Sequence, residues 1–241
     1  MVVLLFMDNH VINHPKRPFI HSFSNMKTRE PFNTWSHVFG AFASLFFVYL
    51  FFTHAQDRSP AGILALLIYG FSTFAMFSSS AIYHGFNGND LQIKRLRMVD
   101  HMMIYVVIAG GYTPIAAFVL PDSMGKIVLY GIWIIAGLGI FKKSLWMTAP
   151  SWFSTLLYVL MGWVSVLIFP VIWRETTPLF SYGIITGGLF YTVGAIVYAL
   201  KKPNIWPKTV GFHGLWHVFV LGGALTHLMS HVYYFSNFLE K

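Results

Sequence analysis

The sequence predicts an all-α fold, an integral membrane bundle of seven transmembrane helices, and three observations carry that expectation. Of 241 residues, 56% are hydrophobic, 18% aromatic and 10% charged, where soluble domains carry roughly 25% charged residues. Seven apolar stretches follow one another, most of them near the roughly 20 residues that a spanning helix needs. Basic residues gather in alternate loops, a pattern that a missed helix would scramble.

The stretches run 34–54, 61–84, 98–120, 125–141, 151–173, 179–200 and 210–235. Gly110, Gly111 and Pro114 interrupt the third, which membrane helices tolerate where neighbours satisfy the freed backbone groups. The fourth is short and rich in glycine. Trp35, Trp146, Trp152, Trp173, Trp206, Tyr233 and Tyr234 recur near segment ends, as interfacial anchors do.

Charge sets the expected orientation. Twelve of the sixteen basic residues lie before the first stretch or in the second–third, fourth–fifth and sixth–seventh loops, among them Arg29, Lys94, Arg95, Arg97, Lys142, Lys143 and Lys208. Arg58, Lys126, Arg174 and Lys241 remain for the other side. The positive-inside rule then places the N-terminus in the cytoplasm and the C-terminus outside. The net charge of +8 reads as basic cytoplasmic loops, and no nucleic-acid motif accompanies it. With no cysteine, disulfides and thiolate metal sites are excluded.

Residues 1–29 form a cytoplasmic tail ahead of a transmembrane domain, 30–241. The opening MVVLLFMDNH is apolar, but no basic residue precedes it and no small-residue cleavage site follows, so it is a poor signal peptide. Two readings stay open: an extension upstream of a natural start at Met26, or a true tail.

The topology gathers polar residues at one depth. His84 ends the second helix on the cytoplasmic side. Asp100 and His101 begin the third, His213 and His217 begin the seventh, and Asn33 and His37 begin the first. His213 and His217 stand one helical turn apart, about 6 Å along the axis. Imidazole is the commonest metal ligand, and polar groups inside a bilayer are costly. Singly, each residue has an ordinary reading. His84 and His101 suit an interface, Asp100 suits a salt bridge to Arg95 or Arg97 or the helix dipole, and Ser80 can bond its own i−4 carbonyl. His227 and His231 also sit four apart, but toward the far side, and read as packing or outer-interface residues. His10, His14, His21 and His54 read as surface residues.

At these positions the chain resembles the haemolysin-III family, the bacterial relatives of the progestin and adipoQ receptors. Four motifs carry the likeness: Glu30-Pro-Phe-Asn33-Thr-Trp-Ser-His37, Ser80-Ala-Ile-Tyr-His84, the Asp100-His101 segment running to Tyr112-Thr113-Pro114, and His213-Gly-Leu-Trp-His217. Gly111 departs from the Thr expected in the third. The resemblance implies seven helices in a bacterial cytoplasmic membrane and a zinc ion held by His84, His213 and His217. It also places Asp100 and Ser80 around the zinc-bound water. His37, His101 and Asn33 are the expected supporting residues, because ligating histidines donate their second N–H to a partner. Related receptors resemble zinc-dependent ceramidases.

The leading expectation is therefore a zinc-dependent hydrolase of a lipid amide or ester, with Asp100 as general base and Ser80 supporting the water or oxyanion. Membrane lipids are the expected partners. A membrane-lytic or channel-type protein with a structural zinc is the alternative, and a lipid-composition sensor or receptor is a third.

Overall fold

The computed structural model describes residues 28–56, 59–146 and 151–237, with the side chains of 151 and 152 left aside. The expectations placed on the tail before residue 28, on Met26, His10, His14, His21, Arg58 and Lys241, and on the Trp152 side chain lie outside those bounds.

Seven helices follow in order: α1 (Pro31–His54), α2 (Pro60–Gly85), α3 (Asp90–Phe118), α4 (Asp122–Leu145), α5 (Ser151–Glu175), α6 (Pro178–Leu200) and α7 (Gly211–Asn237). Each is long and apolar enough to cross a membrane. Proline at the first turn starts α1, α2 and α6, where its missing N–H is not needed. Ser59 and Thr177 cap α2 and α6. Large apolar side chains such as Phe42, Tyr49, Leu167 and Leu189 remain exposed; on a spanning bundle these are the faces that meet lipid.

Two helices extend furthest beyond their apolar stretches. α3 begins at Asp90 rather than near 98, because Asn89 and Gln92 form a reciprocal capping box. Lys94, Arg95 and Arg97 thus ride on helix rather than in a loop. α4 extends at both ends, from Asp122 to Leu145, and takes up Lys142 and Lys143. Gly110, Gly111 and Pro114 do not break α3. Gly110 lies so close to Ser72 of α2 that a Cβ would collide with it, whereas a Cβ on Gly111 would meet Tyr69 only at 3.5 Å. The first glycine permits close α2–α3 packing; the second position has room for a side chain.

α1 packs on α2 and α7, α2 on α3, α3 on α4, and α6 on both α5 and α7. The core runs through Tyr69, Tyr105, Ile132, Ile172, Phe180, Leu228 and Phe235. Tyr112 of α3 donates to the Gly162 carbonyl of α5 at 2.7 Å. At one end of the bundle Gln56 donates from its side chain to the Ser236 carbonyl at 2.7 Å, and Tyr234 donates to the Glu175 carbonyl at 3.0 Å.

The opposite end is fastened differently. Arg29 donates to the Tyr83 carbonyl at 2.6 Å, and the Glu30 backbone N–H donates to the His84 carbonyl at 3.1 Å. These are terminal carbonyls of α2, which the helix itself leaves unpaired. The lead-in to α1 is thereby locked onto the end of α2. At the same end Gly211 starts α7 with φ +66°, a conformation that favours glycine. The Asn204 side chain accepts from the Phe212 N–H at 3.1 Å. Together they fix where His213 enters the bundle.

Candidate metal centre

His84, His213 and His217 converge from α2 and α7, with one ring nitrogen from each lying within 4.8 Å of the others. His84 and His217 are buried. The Nε2 atoms of His84 and His213 are 3.4 Å apart. That is long for a good N–H···N hydrogen bond. Two nitrogens held 2.0–2.1 Å from one tetrahedral ion lie roughly 3.3–3.4 Å apart, so the observed separation suits a shared ion.

The His84 ring is oriented by a group that sequence reasoning did not single out. Its Nδ1 lies 2.7 Å from Glu30 Oε2. Burial pushes the Glu30 carboxyl up, but the hydrogen bond and charge of His84, the Asn33 amide and Arg29 outweigh it and hold the pKa at about 2. An ionised carboxylate only accepts. The proton therefore sits on His84 Nδ1, and the Nε2 lone pair faces His213. A carboxylate behind a ligating histidine is the usual way a protein fixes the ring tautomer and raises its basicity.

Asn33 donates from Nδ2 to the same Glu30 Oε2 at 2.8 Å, so it supports Glu30 rather than a histidine directly. His37 is buried and stacks on His217 with ring centroids 3.8 Å apart and planes 19° from parallel. Phe77 meets the His37 ring edge-on at 4.9 Å. Neither ring nitrogen of His37 has a hydrogen-bond partner, and neither does Nδ1 of His217. Buried polar atoms of native proteins are rarely left so; His101 Nδ1 and, at the far end, His231 Nε2 share this property.

Ser80 and Asp100 are buried beside the histidines. The Ser80 hydroxyl and His84 both lie close to the Asp100 carboxyl. His101 lines a cavity of about 280 Å³ together with Glu30, Tyr83, His84, Arg97, Tyr198 and His213. Its backbone carbonyl accepts from the Tyr158 hydroxyl at 3.1 Å. All eight residues expected at the site thus stand at one end of the bundle.

Two further residues join them. Glu30 opens the first of the four motifs, but nothing in the sequence gave it a role, and it also pairs with its neighbour Arg29 at 3.4 Å. Lys143 carried no signal. It is 4% exposed and lies near Asp100 and His101, whereas its sequence context is that of a basic loop.

His227 and His231 do not join this group. His231 is buried against Tyr69, Phe180 and Phe235, and its Nδ1 donates to the His227 carbonyl at 2.7 Å. His227 Nε2 donates to the Ile184 carbonyl at 3.1 Å, joining α7 to α6. Packing is their role here, and His54 is exposed at the end of α1.

Three converging nitrogen donors without thiolate, one of them with its ring tautomer fixed by a carboxylate, fit a metal ion. Residues 25–228 match a family model described as haemolysin-III related. Hemolysin-3 of Bacillus cereus is 30% identical over 203 residues, which cover 84% of this chain and 90% of that protein. The hemolysin-3 homolog of Bacillus subtilis (strain 168) is also 30% identical over 203 residues, covering 84% and 92%. The human monocyte to macrophage differentiation factor is 26% identical over 164 residues, 66% of either chain.

Proposed function

Because this chain belongs to the haemolysin-III family, we propose that it is a zinc-dependent hydrolase of a lipid amide or ester, working at the cytoplasmic leaflet. One observation carries the reading: three histidine nitrogens converge near the buried Ser80 and Asp100, and two of those histidines, His84 and His213, line a cavity. A purely structural site needs a fourth protein ligand, and among the described residues no further His, Cys, Asp or Glu completes the cluster.

His84, His213 and His217 would hold the ion, and a zinc ion there would supply Lewis acidity. Glu30 keeps the proton on His84 Nδ1 and leaves Nε2 free to ligate. Asp100 takes the proton of the attacking water as general base, and the Ser80 hydroxyl holds its carboxyl in place. The cavity admits the scissile group from the headgroup region. The basic residues at this end support a site on the cytoplasmic side of a bacterial inner membrane.

The test is hydrolysis of ceramide-like amides and esters by the zinc-loaded protein in liposomes. Wild type cleaves at least one of them, and Asp100→Asn lowers the rate by at least about 100-fold while keeping its zinc. A fully loaded wild type that cleaves none refutes the reading.

A second reading draws on the printed name of the Bacillus cereus relative, hemolysin-3. Here the protein permeabilises membranes, and the ion clamps α2 to α7. Liposome leakage that persists in Asp100→Asn and stops on chelation favours it.

A further inference from the structure

We infer that His101 holds the scissile carbonyl of the substrate, its ring N–H donating to the carbonyl oxygen inside the cavity. This role rests on the reading of that cavity as the site of lipid amide or ester hydrolysis. The sequence offers His101 a different place, as the hydrogen-bond partner behind a ligating histidine. The structure does not pair them. Behind His84 that place is taken by Glu30, at 2.7 Å. The Nδ1 of His101 is buried without a partner among the described residues. The hydrogen bond that ties His101 to another helix runs through its backbone carbonyl rather than its ring. Nε2 is not buried as Nδ1 is, and the residue lines the cavity of about 280 Å³. Nε2 is therefore the ring nitrogen that meets the cavity.

The ring is held on a fixed wall. Tyr158 of α5 donates to the His101 carbonyl at 3.1 Å. The Tyr158 ring meets that of Tyr105, 1% exposed, edge-on at 4.7 Å. α5 thus clamps α3 at this turn. Arg97, four residues earlier on α3, lines the same cavity. Residues four apart share a helix face, so this face of α3 looks into the cavity. His84 and His213 line it too and supply two of the three converging nitrogens. One space therefore receives a free imidazole nitrogen from α3 and the candidate metal ligands from α2 and α7.

The chemistry of the ring selects what it binds. A neutral imidazole carries one N–H and one lone pair. A buried N–H without an acceptor is rarer than an acceptor left short of donors. Nδ1 therefore keeps the lone pair, and Nε2 carries the proton into the cavity. A donor there calls for an acceptor. An amide or ester presents one in its carbonyl oxygen, which gains negative charge as the carbonyl carbon is attacked. A neutral imidazole stabilises that charge by hydrogen bonding and keeps its own proton.

The experiment uses the full-length protein in detergent and compares wild type, His101→Leu, His101→Gln and His54→Leu. Leucine removes the donor, glutamine keeps an N–H, and His54 lies at the far end of α1 as a control. Zinc affinity is read by competition against a chelator. kcat and KM are measured for a short-chain ceramide with zinc bound. The infrared carbonyl band of the same ceramide, labelled with 13C at that carbon, is recorded on the zinc-free protein. The band is expected at lower frequency on wild type and His54→Leu than on His101→Leu, with His101→Gln between. kcat is expected to fall about 100–1,000-fold in His101→Leu, as for the loss of one oxyanion donor, with part recovered in His101→Gln. Zinc affinity is expected to match wild type in every variant. A 10–100-fold loss of zinc affinity in His101→Leu, the signature of a partner behind a metal ligand, overturns the inference when the band does not move. A band unchanged in His101→Leu, or a ceramide that does not bind the zinc-free wild type, also overturns it. Hydrolysis that His101→Leu leaves intact refutes this inference alone. A shifted band on a wild type that, loaded with zinc, cleaves nothing refutes the hydrolase reading and leaves His101 as a carbonyl-binding residue.

Discussion

Replacing Glu30 tests how the second helix delivers its histidine. The Glu30 carboxylate accepts from His84 Nδ1 at 2.7 Å and from Asn33 Nδ2 at 2.8 Å. It holds the imidazole in the tautomer that frees Nε2. A hydrogen bond to a charged group contributes about 1.5–3 kcal/mol, and loss of such a partner behind a metal ligand costs about 10–100-fold in affinity. The Glu30 side chain is 37% exposed, so solvent screening puts the effect near the lower end, about tenfold. Glu30→Gln keeps an oxygen for Nδ1 but loses the charge. Glu30→Ala leaves Nδ1 of a 2% exposed histidine with no acceptor. Metal affinity is expected to fall from wild type to Gln to Ala, read by competition against a chelator in detergent with elemental analysis of each variant. Equal affinity in wild type and Glu30→Ala refutes the reasoning and leaves Glu30 as a partner of Arg29 alone.

Other expectations are equally specific. Gly40→Ala places a Cβ 2.7 Å from the Phe77 ring, which also packs on His37, and should destabilise by about 1–3 kcal/mol; Gly111→Ala should melt within about 1 kcal/mol of wild type. Thermal unfolding in detergent checks both, and equal effects would contradict the packing. His231→Ala should lower the melting temperature through its cavity, about 2–4 kcal/mol, yet keep its metal; a lost metal would place that histidine in the wrong site. With no native cysteine, Lys208→Cys should react with an impermeant maleimide only in inside-out vesicles and Lys126→Cys only in intact cells. The reverse would invert the orientation.

Much of this architecture was legible because bilayer physics is blunt. A span must be long and apolar, and basic loops alternate, so seven helices could be placed and Asn33, His37, His84, Asp100 and His213 brought to one end without a structure. Hydropathy could not see helix that continues past the apolar part. α3 begins at Asp90 because of a capping box, and α4 carries Lys142 and Lys143 to its end. That error hid Lys143, since a lysine in a loop is solvated while a lysine on the last helical turn takes the direction its face dictates. Glu30 stayed hidden for another reason. Its partner His84 is 54 residues away, and only the locking of the α1 lead-in onto the α2 carboxyl end brings them together. Periodicity describes one helix at a time and does not report such pairings. His37 shows the same limit: its helix and depth could be read, but its stacking on His217 could not.

Under the proposed function, His84, His213 and His217 hold one zinc ion. Elemental analysis of purified wild type beside His84→Ala tests it most directly, with His231→Ala as a variant that disturbs the last helix without touching the site. One zinc per chain is expected in wild type and in His231→Ala, and none in His84→Ala. A wild type without zinc after purification in its presence, or a zinc content that His84→Ala leaves unchanged, would contradict it.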